Sequence, residues 1–269
     1  MLKDITFGQY FPSNSVVHKL DARVKLVLLV LQIVTIFVCK NFISLGIIAL
    51  FTIIVLLLTK IPLKLYFKSI KVIIPIIIFT AILNVFYIKT GVELLSFWKI
   101  TIWSDGIIKA VFMAARVLIL ILISSVLTYA TTPNDLTDGI ERLLKPLKFV
   151  GLGQAVHTMS MMMTIALRFI PTLIEETDKI MSAQKARGAD LESGGIVQKV
   201  KALLPILIPL LISSVRRAYE LAEAMECRCY NGGKGRVRMK RLKMALRDYM
   251  SVLVCTIILV LIIFANILF

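Results

Sequence analysis

An all-α, polytopic membrane fold is the class that the sequence predicts, on three observations. Hydrophobic residues make up 58% of the 269, and mean hydropathy is +0.88, where soluble domains have about 45–50% apolar residues. The apolar residues gather into five runs near the length that crosses a bilayer as a helix, about 17–25 residues. The charged residues, with a formal net charge of +16, gather between those runs. A strongly basic balance also suits nucleic-acid binding. Lys and Arg beside apolar spans are, however, what membrane topology itself selects, so a lipid bilayer is the expected surrounding and no nucleic acid is expected as a partner.

The elements follow in order. Residues 1–21 are mixed polar, without an apolar stretch that leads to a small-residue cleavage site. The first apolar run is therefore expected to act as an uncleaved anchor. Runs 24–39 and 42–58 are separated only by Lys40-Asn41 and predict a tight helical hairpin. Runs 72–88, 107–129 and 250–268 predict three further spans. In lipid each must be a helix, because every backbone group has to be satisfied within its own segment. The stretch 89–106 reads as a loop.

Basic residues set the orientation. Lys3, Lys19, Arg23 and Lys25 precede or open the first run, and Lys60, Lys64, Lys68 and Lys71 lie between the second and third. This places the N-terminal segment 1–23 in the cytoplasm, a four-helix transmembrane part at 24–130, a cytoplasmic or interfacial domain at 131–249 and a last transmembrane helix at 250–269.

Region 131–249 opens with Thr132-Pro133-Asn134-Asp135. Thr132 suits an N-cap, Pro133 the first helical position and Asp135 the capping-box position. Leu136, Ile140, Leu143, Leu144 and Leu147 then recur at helical spacing, and Pro146 with Gly151 and Gly153 ends the element. A second helix is expected over 154–187, kinked at Pro171, and a third over about 197–230. The apolar stretch Ala202 to Ile212 of the third is short and interrupted by Pro205 and Pro209. It suits the membrane boundary. A sixth span at 202–215 is the competing reading, and it would put Arg187 and Arg228 on opposite sides of the membrane.

Catalytic motifs are missing from the sequence. Gly232-Gly233-Lys234-Gly235 lacks phosphate-loop spacing, and there is neither HExxH nor GxSxG. Cys39, Cys227, Cys229 and Cys255 form no disulfide framework, and Cys227-Arg228-Cys229 falls short of the four ligands of a closed zinc site. His157 has no placed partner. Asp135 and Asp138 fit a first-turn dipole role. The chain is expected to be no enzyme and to bind no metal. What stands out is a duplicated setting, Ala186-Arg187-Gly188 and Cys227-Arg228-Cys229, 41 positions apart. Each follows a charged amphipathic helix, and each Arg has small neighbours that let a partner approach. Such a guanidinium can pair with a carboxylate through two parallel hydrogen bonds. Gly188 and Gly232 are the expected helix stops. Met159, Met161, Met162 and Met163 form a soft patch that suits either gap-filling or adaptable docking. Pro205 and Pro209 share a helix face. Arg116 falls within the fourth run, where it is expected to pair with another helix or to snorkel.

The sequence resembles the transmembrane coupling (T) component of energy-coupling-factor transporters, a class of ABC importers. The resemblance covers nearly the whole chain. It rests on Gly8-Gln9-Tyr10 with Ser15, His18, Leu20-Asp21 and Arg23; on Thr131-Thr132-Pro133; on Ala166-Leu167-Arg168-Phe169-Ile170-Pro171-Thr172; on Ala183-Gln184-Lys185-Ala186-Arg187-Gly188; and on Ser213-Ser214-Val215-Arg216-Arg217-Ala218 running to Ala224-Met225-Glu226-Cys227-Arg228-Cys229-Tyr230. It implies two cytoplasmic ABC-type ATPase partners that receive Arg187 and Arg228. It also implies one or more small membrane proteins that capture the substrate, a vitamin or a cobalt or nickel ion. No cofactor is expected on this chain, ATP and Mg²⁺ belonging to the ATPases. The second motif departs from the family's Ala-Arg-Gly, carrying Cys on both sides of the Arg. From the residues alone, an autonomous secondary transporter or channel is the alternative.

Overall fold

A computed structural model describes residues 10–88, 90, 92–97, 100–151, 153–189, 195–232 and 244–268. Eight helices run α1 Ala22–Val38, α2 Phe42–Thr59, α3 Leu63–Tyr87, α4 Ser104–Ala130, α5 Pro133–Leu143, α6 Gly153–Ala186, α7 Ile196–Glu226 and α8 Leu246–Leu268. Two short strands, β1 Glu93–Phe97 and β2 Ile100–Trp103, pair antiparallel between α3 and α4. The all-α expectation holds apart from this hairpin, in a stretch read from sequence as a loop. The strand signal was present in the alternation of Ile100, Thr101, Ile102 and Trp103.

Five described helices are long and apolar enough to cross a bilayer: α2, α3, α4, α8 and the Val200–Glu226 part of α7. The number matches expectation and the membership differs. Helix α1 has 17 residues, at the lower limit for a span, because Asp21 caps its start and Asn41 already opens α2. Helix α7 is continuous through Pro205 and Pro209, so its apolar stretch joins the turns that follow. It is the least apolar of the five.

The chain forms two compact units. The larger takes residues 8–139 and 242–269 and contains α1 to α4 and α8. Its core is aliphatic, with Ile36, Ile48, Ile119 and Ile262 buried together, and a second cluster gathers Leu56, Tyr66, Val126 and Tyr129. Helices α3 and α4 approach closely at Gly106, where a Cβ would lie 3.1 Å from the Val85 carbonyl oxygen.

Polar groups tie both ends of α1. At its start, the Asp21 carboxylate accepts the Arg23 N–H at 3.0 Å, and the Asp248 carboxylate accepts the Asp21 N–H at 2.9 Å. Buried Lys25 donates to the carbonyls of Ala130, at 2.7 Å, and His18, at 3.1 Å. His18 Nε2 in turn donates to the Phe11 carbonyl at 2.9 Å, while the Ser15 hydroxyl reaches its Nδ1 at 2.6 Å. The motif residues Ser15, His18, Asp21 and Arg23 thus hold the chain before α1. Gly8 and Gln9 lie outside the described residues. At the other end of α1, Arg116 donates to the Cys39 carbonyl and lies 4.7 Å from the Phe112 ring centre. Asn266 donates to the Val38 carbonyl at 2.8 Å. A helix leaves its last carbonyls without intrahelical partners, so Arg116 of α4 finds its acceptor at the end of α1.

The smaller unit falls within residues 140–241. It holds the end of α5, a 3₁₀ turn at Lys145–Val150, α6 and α7. The Thr132 hydroxyl oxygen accepts the Asp135 N–H at 3.1 Å and its hydroxyl donates to the Asp135 carboxylate at 2.9 Å, so α5 starts as expected. Helix α6 runs unbroken through Pro171.

Candidate functional site

Helix α6 ends because Gly188 turns to a φ of +87°. The Gly188 N–H then donates to the Lys185 carbonyl and the Ala189 N–H to the Gln184 carbonyl, both at 3.0 Å. This is a Schellman closure, and Arg187 is the residue just before the reversal. Helix α7 ends the same way. The Cys229 N–H donates to the Glu226 carbonyl at 2.8 Å and the Tyr230 N–H to the Met225 carbonyl at 3.1 Å. Arg228 again stands just before the reversal. The residue that turns is Cys229, with a φ of +54°. Gly232 also has a positive φ, of 61°, but it comes after the helix has closed. The helix stop expected at Gly232 is therefore corrected to Cys229. The left-handed conformation costs an L-residue about 1–2 kcal/mol, and the two closing hydrogen bonds offset that cost.

The duplicated setting is thus one backbone device built twice. Arg187 and Arg228 are both exposed, and neither guanidinium has an ion-pair or hydrogen-bond partner among the described residues. Each side chain stands at a helix C-terminus, where a cation complements the dipole, and leaves its donors to an outside acceptor. Ala186, Gly188, Cys227 and Cys229 beside them are exposed too.

The packing of α6 on α7 sets the spacing between the two. Gln184 donates to the Pro205 carbonyl at 3.5 Å. Glu176 accepts from Ser213 and pairs with Arg217 at 2.8 Å. The Tyr230 hydroxyl donates to Met161 Sδ at 2.9 Å. As the number rises on one helix it falls on the other, so the helices are antiparallel over their length. With a rise of about 1.5 Å per residue, the two Arg residues stand roughly 35–40 Å apart at opposite ends of the pair.

Sequence reading had missed the Glu176–Ser213–Arg217 latch. Ser213 and Arg217 lie in a noted motif, but their acceptor is on another helix. His157 does have a partner: its Nδ1 lies 3.2 Å from the Glu141 carboxylate, which also accepts from the Ser160 hydroxyl. Met159, Met162 and Met163 are exposed, with 54–67% of their surface accessible, so they fill no core gap. Met161 is turned to Tyr230. Pro205 and Pro209 are exposed on α7, beside exposed Leu204, Leu207, Ile208 and Leu211. No cluster of three or more His, Cys, Asp or Glu suited to a metal ion occurs among the described residues.

Comparison with known proteins adds the following. A family model described as CbiQ, cobalt transport protein, matches residues 13–239. A protein of Clostridium kluyveri named energy-coupling factor transporter transmembrane protein EcfT is 51% identical over 261 residues, covering 97% of this chain and 96% of its own. Proteins with the same name are 48% identical in Acidaminococcus fermentans, over 98% of this chain and 97% of theirs, and 42% identical in Bacillus subtilis, over 98% of both chains.

Proposed function

We infer the function from the family, because the chain belongs to the cobalt transport protein family that includes the energy-coupling factor transporter transmembrane proteins. It is the non-catalytic transmembrane coupling subunit of an energy-coupling-factor importer, linking ATPases to a substrate-binding component. The finer assignments that follow are our reading of how this chain does so.

Arg187 and Arg228 each receive one cytoplasmic ABC-type ATPase, with Ala186 and Gly188, or Cys227 and Cys229, forming the floor of the contact. The observation that carries this is the same Schellman frame at opposite ends of an antiparallel helix pair. One device presented twice, roughly 35–40 Å apart, suits two similar soluble partners held side by side. Both Arg residues then face the cytoplasm with α6 and α7 lying along the membrane boundary, and α1 completes the spans. The segment 1–23 and the domain 131–249 are cytoplasmic, in keeping with the Lys and Arg distribution. The exposed apolar side of the pair, with Met159, Met162, Met163, Pro205 and Pro209, takes the small substrate-binding membrane protein. Closure of the ATPases on ATP and Mg²⁺ moves the helix ends, and the pair passes that motion to the docked protein. Vitamins and cobalt or nickel ions are the substrate classes the resemblance brings, and their selection belongs to the docked protein.

The test is to tag the chain in its native membrane, purify it gently and identify its companions by mass spectrometry. Recovery of one or two ABC-type ATPases with one or more small, very apolar membrane proteins is the expected result. Recovery of the folded chain alone, with uptake driven by an ion gradient in liposomes, would overturn the reading in favour of an autonomous transporter.

A further inference from the structure

The larger unit contains a cavity of about 400 Å³, within the range of about 300–1,000 Å³ for small-molecule sites. Its walls come from α1, α2, α4 and α8, with Leu29, Val55, Val126, Met250 and Val254 among them, and Val16, Val17 and Leu20 close one end. It lies at the end of the bundle where α1 and α8 begin. The lining is almost wholly apolar and has four polar or charged side chains, Lys25, Gln32, Arg247 and Ser251. Three are engaged within the fold. Lys25 donates to the His18 and Ala130 carbonyls, Gln32 donates to Cys255 Sγ at 3.3 Å, and the Ser251 hydroxyl turns back to the carbonyls of α8. Only Arg247 has no hydrogen-bond or ion-pair partner for its head group among the described residues, and it is exposed at the mouth.

The sequence before α8 is strongly basic. Residues 234–243 carry Lys234, Arg236, Arg238, Lys240, Arg241 and Lys243 and no acidic residue. Four to eight Lys or Arg immediately before a transmembrane helix form a surface that attracts anionic lipid headgroups. An apolar cavity with one unengaged cation at its lip, on a helix that a basic run precedes in sequence, complements a molecule with an apolar chain and an anionic head.

We propose that this cavity binds an anionic phospholipid, its acyl chain between α1, α2, α4 and α8 and its phosphate on Arg247. Membrane embedding is required for this site, and the coupling role of Arg187 and Arg228 is not, so failure of either leaves the other standing.

The full transporter complex, purified in mild detergent and stripped of lipid, is titrated with phosphatidylglycerol or phosphatidylethanolamine and read by native mass spectrometry. One phosphatidylglycerol is expected to bind in preference to phosphatidylethanolamine. Arg247→Gln is expected to weaken phosphatidylglycerol about five-fold, the factor for one basic residue at a membrane surface, with little change for phosphatidylethanolamine. Met250→Trp, which fills the mouth from an exposed position, is expected to lower binding of both. Equal binding of the two lipids, an Arg247→Gln variant that keeps the full preference, or wild-type lipid binding by Met250→Trp would overturn the proposal. So would a disulfide-trapped contact between Met250→Cys and the substrate-binding protein, since the cavity would then hold a protein segment.

Discussion

Cys229 shows how a residue type can hide a structural role. Cysteine is not a habitual helix stop, and a glycine three positions later offered the more obvious one, so the sequence pointed to Gly232. The backbone closes at Cys229 because the Glu226 and Met225 carbonyls accept the next two N–H groups there. Replacing Cys229 by Gly removes the left-handed strain at some cost in chain entropy. The variant is expected to gain about 0.5–1 kcal/mol of local stability, read as slower hydrogen exchange at the Cys229 and Tyr230 amides. Faster exchange there would mean that the Cys side chain itself holds the turn. Arg187 and Arg228 were legible as a pair from sequence because their neighbours repeat. Their shared backbone frame was not, since it depends on hydrogen bonds that no composition records. Arg116 was legible as a misfit in an apolar helix, but its partner, a carbonyl at the end of α1, could only be found in three dimensions.

At the scale of the element, the apolar runs located α2, α3, α4 and α8 because lipid admits few alternatives to a helix. They did not give the starts. Helix α3 begins at Leu63, nine positions before the run that revealed it, since its first turns are amphipathic. The pairing of α6 with α7 was beyond sequence reading, because Glu176 finds Ser213 and Arg217 only once both helices are in register. Glu176→Ala leaves those two donors without their acceptor and is expected to loosen the pair by about 1 kcal/mol, as a partly exposed ion pair is worth little more. Spin labels at positions 181 and 208 are expected to give a broader distance distribution in the variant, and an unchanged distribution would show that apolar contacts alone fix the pair. The segment before α1 has a pH dependence of its own. Burial is the main cause that holds His18 below its ordinary value of 6.5, with nearby Lys25 acting in the same sense and the hydrogen bond to Phe11 opposing it. The folded state therefore favours the neutral ring, and the undocked segment binds more protons. This contribution is fully present above about pH 6.5 and is lost as pH falls through the lowered folded value. The Phe11 amide, which donates to the Tyr129 carbonyl, is expected to exchange faster relative to its intrinsic rate as pH drops below 6, and His18→Gln is expected to flatten that dependence.

For the whole molecule, composition and spacing were enough to reach a membrane protein without catalytic equipment, and motif resemblance was enough to reach its family. Family membership makes the chain the link between ATPases and a substrate-binding component. Finer than this is our proposal that Arg187 and Arg228 are two separate seats, one for each ATPase. Co-purification stoichiometry by native mass spectrometry, on complexes carrying Arg187→Ala, Arg228→Ala, both together, or Lys at either position, tests it most directly. Each single Ala variant is expected to lose ATPase from its own end and the double variant to lose both, with Lys restoring only part because it cannot form the bidentate pair. A double Ala variant that retains its ATPases in full and still drives substrate uptake would contradict the claim.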